Sequence, residues 1–315
     1  MPLPLYLAPL RGVTDYIFRS VYAAHFKGYD GALAPFISTV KGNSVKLTHI
    51  KDILPENNRT LPVVPQIIGN NPEEFIILAE QLFAMGYSTV NWNVGCPFPQ
   101  VTRKKRGAGL LPFPDKIDSF LKQVLTRIPN RVSIKTRLGL NLKSEMQRFI
   151  PVFNSYPLAE IIVHPRTAKQ MYSGNVDKEG FEEFAATCKH PMVYNGDITT
   201  PEVFAELTRR FPSVDRWMIG RGAITNPFFA ESLRGIHVTA LTPGQRLKSF
   251  HDALFEEYRD RIKNPGNVLD KLKGVWFYLA QALPESKTNL KRIQKARKLD
   301  HYSEIVWGIF EELPR

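Results

Sequence analysis

A chain of 315 residues with 43% hydrophobic and 23% charged content is long enough for one large domain and a small second one, and its composition excludes a low-complexity or disordered polypeptide. No apolar run reaches the ~18–20 residues of a membrane span, the opening MPLPLYLAPL lacks the cationic start and apolar length of a signal peptide, and two cysteines far apart predict a reducing, cytoplasmic setting without a disulfide framework. A formal net charge of +12 fits either simple solubility or a polyanionic partner, nucleic acid being the commonest.

Short apolar runs alternate with segments of helical period. Residues 3–9 read as a first strand, followed by a helix through TDYIFRSVYAAHF with Thr14 as its N-cap. Residues 30–36 and 61–68 supply the second and third strands. The third precedes a helix from Pro72 to Met85, on which Phe75, Leu78, Leu82 and Met85 recur every three or four positions. Strands four to eight follow at 88–94, 132–138, 159–165, 191–196 and 215–220. A helix at about 115–128 precedes the fifth, and one at 201–211 has Thr200 as cap and Pro201 at its first position. Eight strand-like runs with helices between them predict a (β/α)8 TIM barrel over residues 1–241. The alternative is an open doubly wound sheet, but no G-x-G-x-x-G follows the first strand.

From 242 to 315 the strand signal stops. Leu247, Phe250, Leu254, Tyr258 and Ile262 form one helical stripe, Leu269, Leu272, Trp276 and Leu279 a second, and Leu290, Ile293, Ala296 and Leu299 a third. Turns are expected at 263–267 and 283–288. The segment reads as a small C-terminal α-helical domain.

Barrel active sites are built at the C-terminal ends of the strands. Polar residues fall there repeatedly: Gln66 on the third strand, Asn93 and Cys96 after the fourth, Lys135 and Arg137 on the fifth, His164 and Arg166 on the sixth, Asn195 and Asp197 after the seventh, Arg221 after the eighth. Their convergence on one rim predicts a single site. Gly196, Gly220 and Gly222 let backbone N–H groups approach a ligand where barrels commonly bind phosphate, although tight βα turns use the same residues. Lys135, inside an apolar strand, needs an anion or a titration role unless its ammonium snorkels to the barrel end. His164 is either a satisfied core histidine or a ligand contact. Cys96 stands a few residues before Arg103, Lys104, Lys105 and Arg106, a cluster that is either a solvated loop or a grip on a phosphate backbone. No metal-ligand spacing, carboxylate pair or nucleophile elbow occurs, so no metal is expected.

The stretches LAPLRGVTD (7–15), QIIG (66–69), NVGCP (93–97), GAGLL (107–111), IKTRLG (134–139), VHPRT (163–167), YNGDI (194–198) and IGRGA (219–223) occur in this order. As a set, over about residues 3–225, they resemble the tRNA-dihydrouridine synthases, and the basic tail is similar to that family's tRNA-binding domain. The resemblance implies tightly bound FMN, NADPH as reductant and tRNA as partner. Reduced flavin would give a hydride to C6 of a uridine, and Cys96 a proton to C5. Carried over by position, Ala8, Pro9 and Leu10 would contact the flavin ring through their backbone, Gln66 its pyrimidine edge, and Lys135 its ring or ribityl region. His164 would lie near the cofactor, and Asn195, Gly196, Asp197, Gly220 and Arg221 would hold its phosphate. Asn93 and Arg137 would face the target base or its backbone, with Arg103, Lys104, Lys105 and Arg106 on the RNA. Three places depart from the family pattern: Leu10 replaces a methionine, PFPQ lacks a usual lysine, and Pro165 replaces a glycine.

A thiol acting as an acid must stay protonated, and an ordinary cysteine of pKa about 8.5 does so at neutral pH. That requirement argues against strongly cationic surroundings for Cys96 and places the four cations outward, where they offset the cost of extruding a stacked uridine. Lys287, Lys291, Arg292, Lys295, Arg297 and Lys298 form a second cationic run on the tail. Two rival readings are an FMN barrel acting on a small molecule, as dihydroorotate dehydrogenases do, and an RNA-binding barrel without flavin. A monomer is expected.

Overall fold

A parallel sheet with helices on its outer face can bury its inner face by closing on itself, and here it does. The computed structural model describes residues 3–42, 46–238, 240–283 and 285–312. Its strands are β1 Leu5–Leu7, β2 Gly31–Leu33, β3 Ile37–Ser38, β4 Val63–Val64, β5 Gln66–Ile68, β6 Thr89–Val94, β7 Arg131–Gly139, β8 Ile161–Thr167, β9 Met192–Tyr194 and β10 Arg216–Ile219. All pairs are parallel, in the order β3-β5-β6-β7-β8-β9-β10-β1-β2-β4. Only Pro65 separates β4 from β5, so the two ends of that order meet and the barrel closes.

The second and third expected strands each appear as two pieces. Pro35 lies between β2 and β3, and Pro65 between β4 and β5. Proline has no N–H to give to a ladder, so pairing lapses at both positions. Pairing resumes beyond them with the register shifted by one residue, Ala32 opposite Val63 before the prolines and Ile37 opposite Ile67 after them. The connection after β3 holds only the short helix Leu47–Ile50 and two 3-10 turns rather than a full helix. The other connections carry longer helices, among them Pro72–Ala84, Pro114–Leu125 and Pro201–Arg210. Thr200 caps the last of these as expected, accepting from the Val203 N–H. The first helix, Tyr16–His25, is capped by Asp15 and not by Thr14. Thr14 is fully buried, and its hydroxyl instead accepts from the Leu10 N–H at 2.7 Å, closing the turn after β1.

Two hydrophobic clusters divide the work. The large one lies between strands and helices. A small one, Ala8, Leu33, Ile162, Val193 and Met218, plugs the barrel interior. Among the described residues the (β/α)8 barrel is followed by four α-helices, Pro243–Arg261, Pro265–Leu279, Ser286–Lys295 and Leu299–Glu311. The third expected stripe is thus split: Ala296 follows one helix and Leu299 starts the next, which buries Tyr302, Val306 and Ile309. Phe250 packs its ring 5.2–6.0 Å from those of Phe18, Tyr22 and Phe26, seating these helices on the first barrel helix. Among the described residues, no helix is long and apolar enough to cross a membrane. Residues 1–2, 43–45 and 239 of the expected barrel segment, Pro284 of the expected turn and 313–315 of the expected tail lie outside the described residues.

Candidate active site

The period of two in a strand selects the site. On β6, Val90, Trp92 and Val94 face the helices, which turns Asn91 and Asn93 inward. By the same parity Lys135 and Arg137 on β7, and His164 and Arg166 on β8 above Ile162, point into the barrel. Above the apolar plug Asn93, Lys135, Arg137 and His164 line two adjoining clefts. The wider, of about 430 Å³, has Gln66, Asn93, Cys96 and Arg137 in its walls. The narrower has Ala8, Asn195, Gly196, Asp197 and Gly220. Pro9, Leu10, Lys135, His164 and Arg221 line both. Fourteen expected site residues therefore meet at one rim, and the four cations at 103–106 do not.

The thiol is held by a buried amide chain. Asn91 donates to the Ser133 hydroxyl at 2.9 Å, Gln66 to Asn91 at 2.7 Å, and Asn93 to Gln66 at 2.8 Å. The Asn93 carbonyl oxygen then accepts from the N–H groups of Gly95 (3.1 Å) and Cys96 (2.9 Å). Asn93 is thus committed to shaping the cysteine turn. Behind that turn Gly107 has a φ of +54°, and a Cβ there would stand 2.7 Å from the Cys96 carbonyl oxygen. The Ala108 N–H donates to that same oxygen at 3.0 Å. The GAGLL stretch is a buttress for the thiol loop.

Three cations act on Cys96, contrary to the mild surroundings expected for an acid: Arg11, Arg137 and Lys135. Burial outweighs them and pushes the thiol above its ordinary pKa, so it stays protonated at neutral pH. Lys135 is driven the other way, down to about 7, by burial and then by Arg137. Its ammonium has no hydrogen-bond or ion-pair partner among the described residues. Burial, Arg137 and Lys135 hold His164 well below the usual imidazole range, hence neutral. Arg166 Nη1 lies 3.1 Å from His164 Nε2, and a guanidinium only donates, so the ring proton is on Nδ1.

At the narrow end Asp197 holds a left-handed φ of +43°. Two guanidinia grip its carboxylate, Arg166 at 2.5 and 3.1 Å and Arg221 at 2.5 Å. The glycines are needed here for close approach. A Cβ on Gly222 would stand 2.2 Å from the Ile198 carbonyl oxygen, and one on Gly196 would stand 2.9 Å from the Pro165 ring.

Residues 6–299 match the sequence model of the dihydrouridine synthase family. The chain belongs to that family. It is 30% identical to a protein of Ralstonia nicotianae named tRNA-dihydrouridine(16) synthase, across 73% of this chain and 72% of that one. To a probable tRNA-dihydrouridine synthase of Staphylococcus aureus it is 29% identical, across 84% and 81%. Among solved structures, the old yellow enzyme homologue from Zymomonas mobilis superimposes with a TM-score of 0.54 at 11% identity, over 78% of this chain and 94% of that one. That likeness establishes the barrel fold.

In this dihydrouridine synthase family member the sequence-derived list of site residues omitted several groups. Arg166, 1% exposed, was left without a task because its partner Asp197 is 31 positions away. Tyr172 lines both clefts, with the guanidinia of Arg137 and Arg221 5.4 and 5.3 Å from its ring centroid. Arg11, Phe36, Phe277 and Tyr278 line the wider cleft, the last two from the helical tail. The basic cluster is not uniform. Arg106 pairs with Glu74 at 3.5 Å, and Lys105 lies 4.9 Å from the Phe113 ring centroid. Arg103 and Lys104 are exposed and make no ion pair among the described residues.

Proposed function

We propose that this chain is an FMN-dependent tRNA-dihydrouridine synthase that reduces the C5–C6 double bond of one tRNA uridine with NADPH as reductant. The observation that carries the reading is the Cys96 thiol sharing one cleft with Lys135, which has no hydrogen-bond or ion-pair partner among the described residues; burial pushes the thiol above its ordinary pKa. The residues fit the flavin. Gly196, Gly220 and Gly222 line the narrower cleft with Arg221, and their backbone N–H groups are the groups a phosphate there would meet. Asp197, itself an anion, orients Arg166 and Arg221 rather than touching the phosphate. Lys135 supplies a donor to the ring or ribityl region, and Ala8, Pro9 and Leu10 offer backbone groups. Gln66 keeps one amide hydrogen for the pyrimidine edge after donating to Asn91.

FMN held there by Lys135, Arg221 and the backbone of Ala8, Pro9 and Leu10 would, once reduced, supply a hydride for C6 of uracil. Negative charge then builds at C5, and Cys96 gives it the thiol proton. Asn93 keeps the sulfur in place while this happens, and Arg137 faces the base from the neighbouring strand. Neutral His164 holds its proton on Nδ1 as a donor to the cofactor. The helices from 242 onward bind tRNA. All six cations of the run 287–298 are exposed, and none is in an ion pair among the described residues. A soluble, cytoplasmic, metal-free monomer is the working state. Position 16 is the first uridine to examine, since relatives carry it in their names.

Purified protein loaded with FMN and given NADPH is expected to form dihydrouridine in tRNA lacking that modification, and nucleoside analysis detects it. A flavin reduced by NADPH but reoxidised only by small enones or free pyrimidines would replace this reading with the small-molecule one. The cation contacts have a separate signature. The double variant Arg103→Ser, Lys104→Ser is expected to lower the salt slope of tRNA binding by about 2, one for each lost phosphate contact. Filter binding over a salt series measures it, and an unaltered slope removes both residues from the interface.

A further inference from the structure

Phe277 is 50% exposed, is absent from the hydrophobic core among the described residues, and stands on the wall of the wider cleft. It belongs to the helix Pro265–Leu279, outside the barrel. That helix is fastened to the loop after β1: Lys271 Nζ reaches the Gly12 carbonyl at 3.2 Å and the Asp15 carboxylate at 2.7 Å. Tyr258, from the preceding helix, donates to the same carboxylate at 3.1 Å. The fastened loop carries Arg11, whose guanidinium lies 5.7 Å from the centroid of the Phe36 ring, and both line the same cleft. Tyr278 stands perpendicular to Phe277 with centroids 5.1 Å apart. Phe36, Phe277, Tyr278 and the Arg11 guanidinium, from three separate stretches of the chain, thus line the cleft that also holds Cys96.

We propose that Phe277 is a substrate-positioning residue, a stacking platform for the nucleobase next to the extruded uridine, with Arg11 and Phe36 completing the rim. This rests on the tRNA reading above and deepens it: the helical tail builds part of the catalytic mouth besides gripping RNA. Extruding one base uncovers a face of each neighbour, and an aromatic ring at the cavity edge re-covers one. Every base has a π-face, so the platform works whatever that neighbour is. The cationic rim, Arg11 and Arg221, favours an anionic strand over an uncharged small molecule.

The test uses flavin-loaded full-length protein and separates the two half-reactions. NADPH reduces the flavin in one anaerobic experiment, and tRNA reoxidises the reduced protein in another. Phe277→Ala is expected to raise the tRNA concentration needed for half-maximal reoxidation about tenfold or more, with a matching loss of tRNA affinity in filter binding. Phe277→Trp restores both, and Phe277→Leu does not. An unchanged tRNA dependence overturns the proposal, as does rescue by leucine, which would mean packing alone. Slowed reduction by NADPH with normal tRNA reoxidation assigns the ring to the reductant and also overturns it. Wild-type protein that tRNA cannot reoxidise at all defeats the parent reading, and that outcome is visible before any variant is made. Because the side chain is half exposed, unaltered melting curves are expected for all three variants.

Discussion

Cys96→Ala is expected to retain its flavin and its reduction by NADPH while losing roughly 10²–10⁴-fold in the rate at which tRNA reoxidises it. Among the described residues the thiol makes no hydrogen bond to Lys135 or to the residues proposed to hold the phosphate, and it acts on Lys135 only through its charge, so cofactor affinity is expected to change little. What disappears is the acid at C5. Water is a poor substitute, because the cleft above Cys96 is walled by Pro97, Phe98 and Phe36. The pH profile gives an independent check. Burial raises the thiol above its ordinary pKa, so uridine reduction should be level through neutral pH and fall at alkaline pH as the acid is lost. In Cys96→Ala the residual rate should lack that alkaline limb. Normal tRNA turnover in the variant would exclude the proton-donor role.

Much of this arrangement is legible from the chain, for a physical reason. A closed parallel barrel forces each strand to alternate between helix-facing and inward positions. A polar residue at an inward position near a strand end must therefore belong to the mouth. Gln66, Asn93, Lys135, Arg137 and His164 are visible on that ground alone. What escapes is whatever depends on distant partners. Arg166 reads as one more polar strand residue until Asp197 is seen gripping it. Tyr172, Phe277 and Tyr278 sit on a loop and a helix whose approach to the cleft no periodicity encodes. The environment of Cys96 was misjudged for a related reason: charge can be counted in a sequence, but desolvation cannot, and here desolvation prevails over three cations. In the tail, the apolar spacing ran on from Leu290 to Leu299 across a real break between two helices. Periodicity alone carries no mark of where one axis stops.

Lys135→Met is expected to stabilise the flavin-free protein at neutral pH and to weaken FMN binding about 10–100-fold, the value of one lost charge-assisted hydrogen bond. The two effects share a cause. A half-buried ammonium beside Arg137, with no acceptor among the described residues, is costly, and its pKa falls from 10.5 to about 7. Below about 7 the lysine is charged in both folded and unfolded chains, and the full cost of burying it is present. From there up to 10.5 the unfolded chain binds a proton that the folded chain lacks, so stability rises with pH. The other displaced groups act outside the lower part of this window. His164 titrates well below 6.5 and weakens the fold only in acid, while the raised thiols of Cys96 and Cys188 weaken it only above 9.0. Denaturant melts of the flavin-free protein between about pH 7 and pH 9 should therefore show stability climbing in the wild type and level in Lys135→Met. Added FMN should flatten the wild-type curve by giving the ammonium an acceptor and restoring its charge. The proposed cofactor role would thus place local instability where a bound ligand relieves it, the usual exchange between fold stability and function. A wild-type curve that is already level without flavin would show that Lys135 has a partner in solution, and the cavity would lose its strongest reason to hold the cofactor.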